Sequence, residues 1–145
     1  MRIALFLSDR YNMNSLSLAR HASVVGMFAH QYSMKCHTQN LAHAGLKATN
    51  EHNYIRKIPH FSTFFGCDNK LQIRKKVIAD TTTPYKMDYR PDDPDADKRG
   101  FVKVLNINPL IEITDLQNSK HQYMNCMKVY ELLVDSERRT ANLLG

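Results

Sequence analysis

Residues 108–145, NPLIEITDLQNSKHQYMNCMKVYELLVDSERRTANLLG, describe a helix from its cap to its stop. Asn108 can accept from the orphan N–H groups of a first turn, and Pro109 suits the first helical position, where a missing N–H costs nothing. From there Ile113, Leu116, Lys120, Tyr123, Met127, Tyr130, Val134, Glu137, Ala141 and Leu144 recur at alternating spacings of three and four, and eight of these ten are apolar. That is the spacing of a stripe that faces a partner helix. Gly145 stands where a helix stops. At 1.5 Å per residue the helix is about 54 Å long, so the molecule should be elongated.

A partner helix is available upstream. Residues 15–44 contain no proline and one glycine, Gly26. Leu18, Ala22, Val25, Ala29, Tyr32 and Cys36 follow the same rhythm, with small residues that favour close helix approach. His21, His30, Lys35 and His37 fall beside or opposite that stripe. Between the helices the pattern changes. Residues 45–60 mix Gly, Asn, His and Pro and read as loop. Phe61–Phe65 and Leu71–Ala79 read as strands about a turn at Gly66 and Asp68-Asn69. Tyr85–Tyr89 and Phe101–Leu105 are also strand-like, and Pro91-Asp92-Asp93-Pro94-Asp95 breaks any regular element. The expected fold is mainly α, with a small β-rich insert and long N- and C-terminal helices paired as a coiled-coil hairpin. The expected division is an N-terminal extension at 1–14, a helical rod domain of 15–44 with 108–145, and an insert at 45–107.

Composition narrows the function. The chain has 145 residues, a net charge of +6 and 43% apolar residues, enough to bury a core. No apolar run is long enough for a membrane span, and Ile3–Leu7 is too short for the core of a cleaved signal peptide. Three widely spaced cysteines, Cys36, Cys67 and Cys126, argue against a disulfide framework or a zinc knuckle. Residues 1–76 carry a balance of +8 and residues 77–145 one of −2, so the halves should attract each other or neighbouring copies.

The candidate chemistry is thin. Asp93, Asp95 and Asp97 have the first spacings of a calcium loop, but Lys98 stands where the glycine belongs and Val104 where the bidentate glutamate belongs. His30 and His37 are two turns apart on one helix, too far to close a tetrahedral metal site. No nucleophile elbow, P-loop or dinucleotide fingerprint occurs, and Cys67 has no partner at a telling spacing. The expectation is therefore a protein that is not an enzyme and takes no cofactor or metal. The basic run Lys70, Arg74, Lys75, Lys76 with Phe61, Phe64 and Phe65 nearby leaves a basic helical nucleic-acid-binding protein as the alternative, against an expectation of no nucleic acid. Amides near both helices, among them Gln39, Asn40, Gln117, Asn118, Gln122 and Asn125, suit interfaces where many helices pack and register must be fixed.

One segment carries more than composition. Residues 89–102, YRPDDPDADKRGFV, set Tyr89, Pro91, Pro94, Ala96, Gly100 and Val102 in a fixed frame. This resembles the Y-x-P-x-x-P-x-A-x-x-x-G-[YF]-V signature of the bacterial flagellar basal-body rod protein family, in its proximal-rod branch. Downstream, Asn106-Ile107-Asn108 and the set Glu112, Asp115 and Tyr123 are similar to further family elements. Upstream, Gly26-Met27, Ala29, Met34, Asn40-Leu41-Ala42-His43-Ala44 and Tyr54-Ile55-Arg56-Lys57 with Phe61 resemble the pattern shared by rod proteins. His43 replaces an asparagine, His121 an arginine and Cys126 an asparagine of that pattern, so the chain reads as a divergent member.

The resemblance implies a structural subunit of the proximal rod that assembles with other rod proteins and with copies of itself to transmit torque. It implies export by the flagellar type III apparatus without a cleaved signal peptide, a periplasmic place in the basal body, and no direct membrane span. Gly26, Ala29, Asn40, Leu41, Tyr123, Met127 and Tyr130 are the expected subunit and helix packing positions.

Overall fold

The computed structural model describes residues 15–48, 54–67 and 70–144. The expected N-terminal extension, the Asp68-Asn69 turn and the Gly145 stop lie outside the described residues. Six elements follow in chain order: α1 (Ser15–His43), β1 (Lys57–Phe65), β2 (Leu71–Ala79), β3 (Tyr85–Tyr89), β4 (Phe101–Leu105) and α2 (Pro109–Leu144). The start of α2 forms as its sequence dictates. Asn108 accepts at Oδ1 from the Leu110 N–H at 3.0 Å, and its carbonyl accepts from Glu112 N–H. The first strand begins at Lys57, four residues before Phe61, so the loop read over 45–60 is shorter than expected.

The expectation of a coiled-coil hairpin with one small β insert is overturned. The described chain is about 52% helix and 24% strand, and the strands form two separate two-stranded antiparallel sheets. The first, β1 with β2, is a ribbon of nine residues a side, in register from Lys57 opposite Ala79 to Phe65 opposite Leu71. It lies along α1. Asn40 bonds the backbone of Lys57, Tyr32 meets Phe61 edge to face at 6.2 Å, and the His21 ring bonds the Leu71 carbonyl. On another face α1 packs antiparallel against α2, through Arg20 with Glu137, Ser33 with Ser119, and His37 with Glu112. So α1 is held between a ribbon and a helix.

That arrangement explains why the heptad stripe misled. His21, Phe28 and Tyr32 reach the ribbon, while Gly26, Ser33 and His37 reach α2. Leu18, Ala22, Val25, Ala29 and Cys36 run along the crease between the two partners, where Ala29 and Cys36 are buried. On α2 the buried line passes through Glu112 and Ser119 rather than Ile113 and Lys120, which are exposed. The fully buried points of α2 are therefore polar, while Leu116, Tyr123, Tyr130 and Val134 of its apolar stripe are only half-buried.

The second sheet is small. β3 pairs with β4 over five residues, from Tyr85 opposite Leu105 to Tyr89 opposite Phe101. The far edge of β4 is taken by residues 46–48. Leu105 N–H donates to the Leu46 carbonyl at 3.0 Å, and Ala48 N–H donates to Lys103 at 2.9 Å. Flanked on both sides, β4 supplies the apolar core: Val102, Val104 and Leu105, with Ile107 just beyond, are each no more than 3% exposed.

Candidate functional site

The most deeply buried polar group is the carboxylate of Glu112, in the first turn of α2 and fully excluded from solvent. Its Oε1 accepts from Arg56 Nε at 2.6 Å. Its Oε2 accepts from Asn40 Nδ2 at 3.0 Å and bonds His37 Nδ1 at 2.8 Å. Asn40 is itself fully buried and spends all its capacity. Its Oδ1 accepts from Tyr54 Oη at 2.8 Å and from Lys57 N–H at 2.9 Å, and its Nδ2 also donates to the Lys57 carbonyl. The amide thus pairs with Lys57 as a neighbouring strand would, and starts the ribbon. Arg56 carries the network to the far strand, 3.6 Å from the Asp80 carboxylate at the end of β2. Five segments converge here: α1, the lead into β1, β1 itself, the exit of β2 and the start of α2.

The electrostatics suit a fixed tie. Burial alone would raise the Glu112 pKa, but hydrogen bonds from Asn40, His37 and Arg56, with the Arg56 charge, hold the carboxyl below its usual range. Tyr54 is pushed up to about 12, first by burial and then by Cys36 and Glu112, so its phenol stays a donor. Its ring stacks on His43, centroids 3.8 Å apart and planes within 6°. Among the described residues no buried side-chain nitrogen or oxygen lacks a partner, and no cluster of metal-ligand type occurs. Three hydrogen bonds occupy most of the carboxylate's roughly four acceptor positions, and the group is shut off from solvent. Chemically the arrangement can hold parts together, and it presents no open reacting atom.

The other sequence-derived positions spread along the helices and the second sheet. Gly26 sits against Cys126 of α2, and a Cβ there would lie 2.8 Å from Cys126 Sγ. Ala29 is buried in the α1 crease, Leu41 is half-buried, and Tyr123 and Tyr130 are half-buried on the α2 face toward α1. Met127 is 36% exposed at the margin of that face. The signature loop closes the β3–β4 hairpin. Gly100 takes a left-handed φ of 79°, and a Cβ would stand 2.9 Å from the Tyr89 ring and 3.2 Å from Pro91. Tyr89, 63% exposed, meets Phe101 edge to face at 5.2 Å. Ala96 N–H donates to the Asp93 carbonyl, Pro94 is exposed, and Val102 enters the core.

The acidic run is tied to the chain before it. Lys47 Nζ reaches Asp93 at 2.5 Å and Asp95 at 2.7 Å, and its hydrogen bond holds Asp93 below the usual carboxylate range. Of the basic run, Arg74 stacks on Phe64 at 5.2 Å and Lys75 lies over Tyr32 and Phe28. Among the described histidines only His37 bonds into the buried network. Sequence reasoning left it beside the stripe, and nothing in the spacing marked it.

No protein-family model matches the chain. It is similar to the flagellar basal-body rod protein FlgC of Aquifex aeolicus (strain VF5). The identity is 27% over 119 residues, which are 81% of this chain and 89% of that protein. This is a distant homology, and it supports the flagellar rod family at most.

Proposed function

We propose that this chain is a structural subunit of the bacterial flagellar rod, in its proximal part, and that its work is mechanical. The distant relative supplies the class. One observation on the molecule carries the assembly role: the outward side of α2 leaves large apolar side chains exposed among its charged ones. Leu110, Ile113, Met124 and Leu132 project from the side opposite Glu112, Ser119 and Cys126, with exposures of 71%, 40%, 37% and 69%. Apolar side chains left exposed on that side are available to a partner, and burying them releases about 25 cal/mol per Å².

In this reading the helical segments 15–44 and 108–145 form the part that stacks against other rod proteins and further copies, with 45–107 held against them. Gly26, Ala29, Asn40 and Leu41 on α1, and Tyr123, Met127 and Tyr130 on α2, set the spacing of the two helices. The signature loop from Tyr89 to Val102 keeps the second sheet rigid. The role is non-enzymatic. The subunit passes through the flagellar type III export apparatus without a cleaved leader and assembles in the periplasm.

The test is genetic and biochemical together. Basal bodies purified from the parent bacterium should contain this chain, and a deletion strain should be non-motile with rodless basal bodies in electron micrographs. A deletion strain that swims normally, with intact rods lacking this chain, would sink the reading.

A further inference from the structure

The outward face of the β1–β2 ribbon is a one-signed surface. Residues 57–67 and 70–79 hold Lys57, Lys70, Arg74, Lys75 and Lys76 and neither Asp nor Glu. Strand alternation separates the two faces. Phe61 turns toward α1, as do Thr63 and Lys75. His60, Ser62 and Phe64 turn outward, opposite Lys76, Arg74 and Gln72. Arg74 lies on the Phe64 ring, which is 38% exposed, while Ile58 and Ile78 cover the base of the same face at 37% and 42%. Apolar ends flank a basic centre. On the inner side, a recess of about 300 Å³ between ribbon and α1 adds one further ammonium, Lys35, beside Lys57, Tyr32, Gln39 and Val77.

The molecule's own acidic groups do not match this surface. Asp88 is paired with Arg90, Asp93 and Asp95 with Lys47, Glu137 with Arg20, and Asp80 with Arg56. Glu131 and Asp135, on the outward face of α2, share that face with Lys128 and Arg139. Asp92 and Asp97 share the β3–β4 loop with Arg90, Lys98 and Arg99, and Asp115 is half-buried, so a second copy offers acidic groups interleaved with basic ones rather than an acidic face among its described residues.

We infer that the outward face of the ribbon docks a carboxylate-rich segment of a different protein, with Arg74 and Lys76 as the central contacts. The choice of a protein over a nucleic acid rests on the assembly reading above. The charge argument stands apart from it. Opposite charge steers such an encounter and selects against wrong partners, and like-charged copies are kept off this face.

The full chain is titrated into labelled poly-L-glutamate and, separately, into labelled single-stranded DNA. Binding to poly-L-glutamate should weaken steeply as salt rises from about 0.05 to 0.3 M, since screening shortens over that range. R74E/K76E should weaken it by roughly tenfold or more, and R74A/K76A by less. K98E/R99E, with the same change in net charge on the β3–β4 loop, should leave it within about twofold. Far-ultraviolet circular dichroism should be unchanged in all three. Absent binding to poly-L-glutamate overturns the inference, as does equal loss in both reversed variants. DNA bound about tenfold more tightly than poly-L-glutamate also overturns it, in favour of a phosphate polymer. A rodless deletion strain beside absent binding would leave the rod reading standing alone, so the two failures are separable.

Discussion

Replacing Glu112 with glutamine tests the central tie of the structure. Glutamine keeps the shape of the side chain but has one acceptor oxygen where three donors now converge. If that oxygen serves Arg56, the new NH₂ faces Asn40 Nδ2 and His37 Nδ1. If it serves those two, the NH₂ faces Arg56 Nε, now 2.6 Å from Oε1. Either way a buried donor meets a donor and Arg56 loses its fully buried counter-charge. Removing one partner of a buried pair costs about 3–5 kcal/mol. The lower end applies here, because the Arg56 side chain is 23% exposed and has Asp80 at 3.6 Å as a second carboxylate. For a chain of this length about 3 kcal/mol lowers the thermal midpoint by roughly 6–12 °C.

The pH dependence follows from the same bonds. The Glu112 pKa is depressed in the fold, so its stabilisation is complete above the unfolded value of about 4.3 and is lost as pH falls through the folded value. Thermal unfolding followed by circular dichroism should show a large gap between parent and E112Q at about pH 7 that closes in the acid limb, where the parent becomes protonated as well. A gap under about 1 °C at neutral pH, or one that stays constant into acid, would refute the reasoning.

Other outcomes rest on single contacts. Gly26→Val should separate α1 from α2 at Cys126 and lower the thermal midpoint, whereas G26V combined with C126A should recover part of the loss; equal midpoints for the two would deny the close approach. Gly100→Ala adds a Cβ at positive φ against Tyr89 and Pro91, and should cost about 1–2 kcal/mol in chemical denaturation. Tyr54 should be absent from the phenolate absorbance that grows between about pH 10 and 11, and because its pKa is raised its stabilisation should fade as pH climbs from about 10 toward its folded value; an ordinary titration would place the phenol outside the buried network. Leu132→Glu, on the outward face of α2, should leave the monomer's helix content intact while abolishing concentration-dependent association in sedimentation.

The termini of the elements were legible where local chemistry decides them. Asn108 and Pro109 start α2 as a cap and a first-turn proline must, and strands form at Tyr85–Tyr89, marked by alternation, and at Phe101–Leu105, marked by β-prone residues. The partners of α1 were not legible. A three-four rhythm shows that a helix buries a stripe, and it says nothing of whether one neighbour covers that stripe or two neighbours meet along it. Small and polar residues compounded the problem, because Gly26, Ser33 and Ser119 carry no apolar signal, yet they are where the helices touch. Tyr54, Arg56 and Glu112 were noticed only through resemblance to a family pattern, and Asn40 through that and as one of several amides near the helices. Their meeting in one network is long-range: Asn40 and Glu112 lie 72 residues apart in the chain.

The balance of buried groups bears on what this fold is built to do. Ala29, Cys36, Val102, Val104, Leu105 and Ile107 are its buried apolar residues, and Ser23, Ser33, His37, Asn40, Glu112 and Ser119 are equally buried. Apolar contacts tolerate sliding, since one aliphatic surface replaces another at little cost, whereas Glu112 has its donors in one register only. Ser33 with Ser119 at 2.9 Å adds a second such point two turns along α2 from Glu112, and Arg20 with Glu137 adds a third near the far end. Three polar ties at separate heights fix both the axial register and the rotation of α2 against α1, and with them the direction in which Leu110, Ile113, Met124 and Leu132 face. Under the proposed assembly role, a surface that repeats one contact many times needs that direction held constant more than it needs the last increment of stability. Loss of any one tie should therefore disturb assembly before it unfolds the chain.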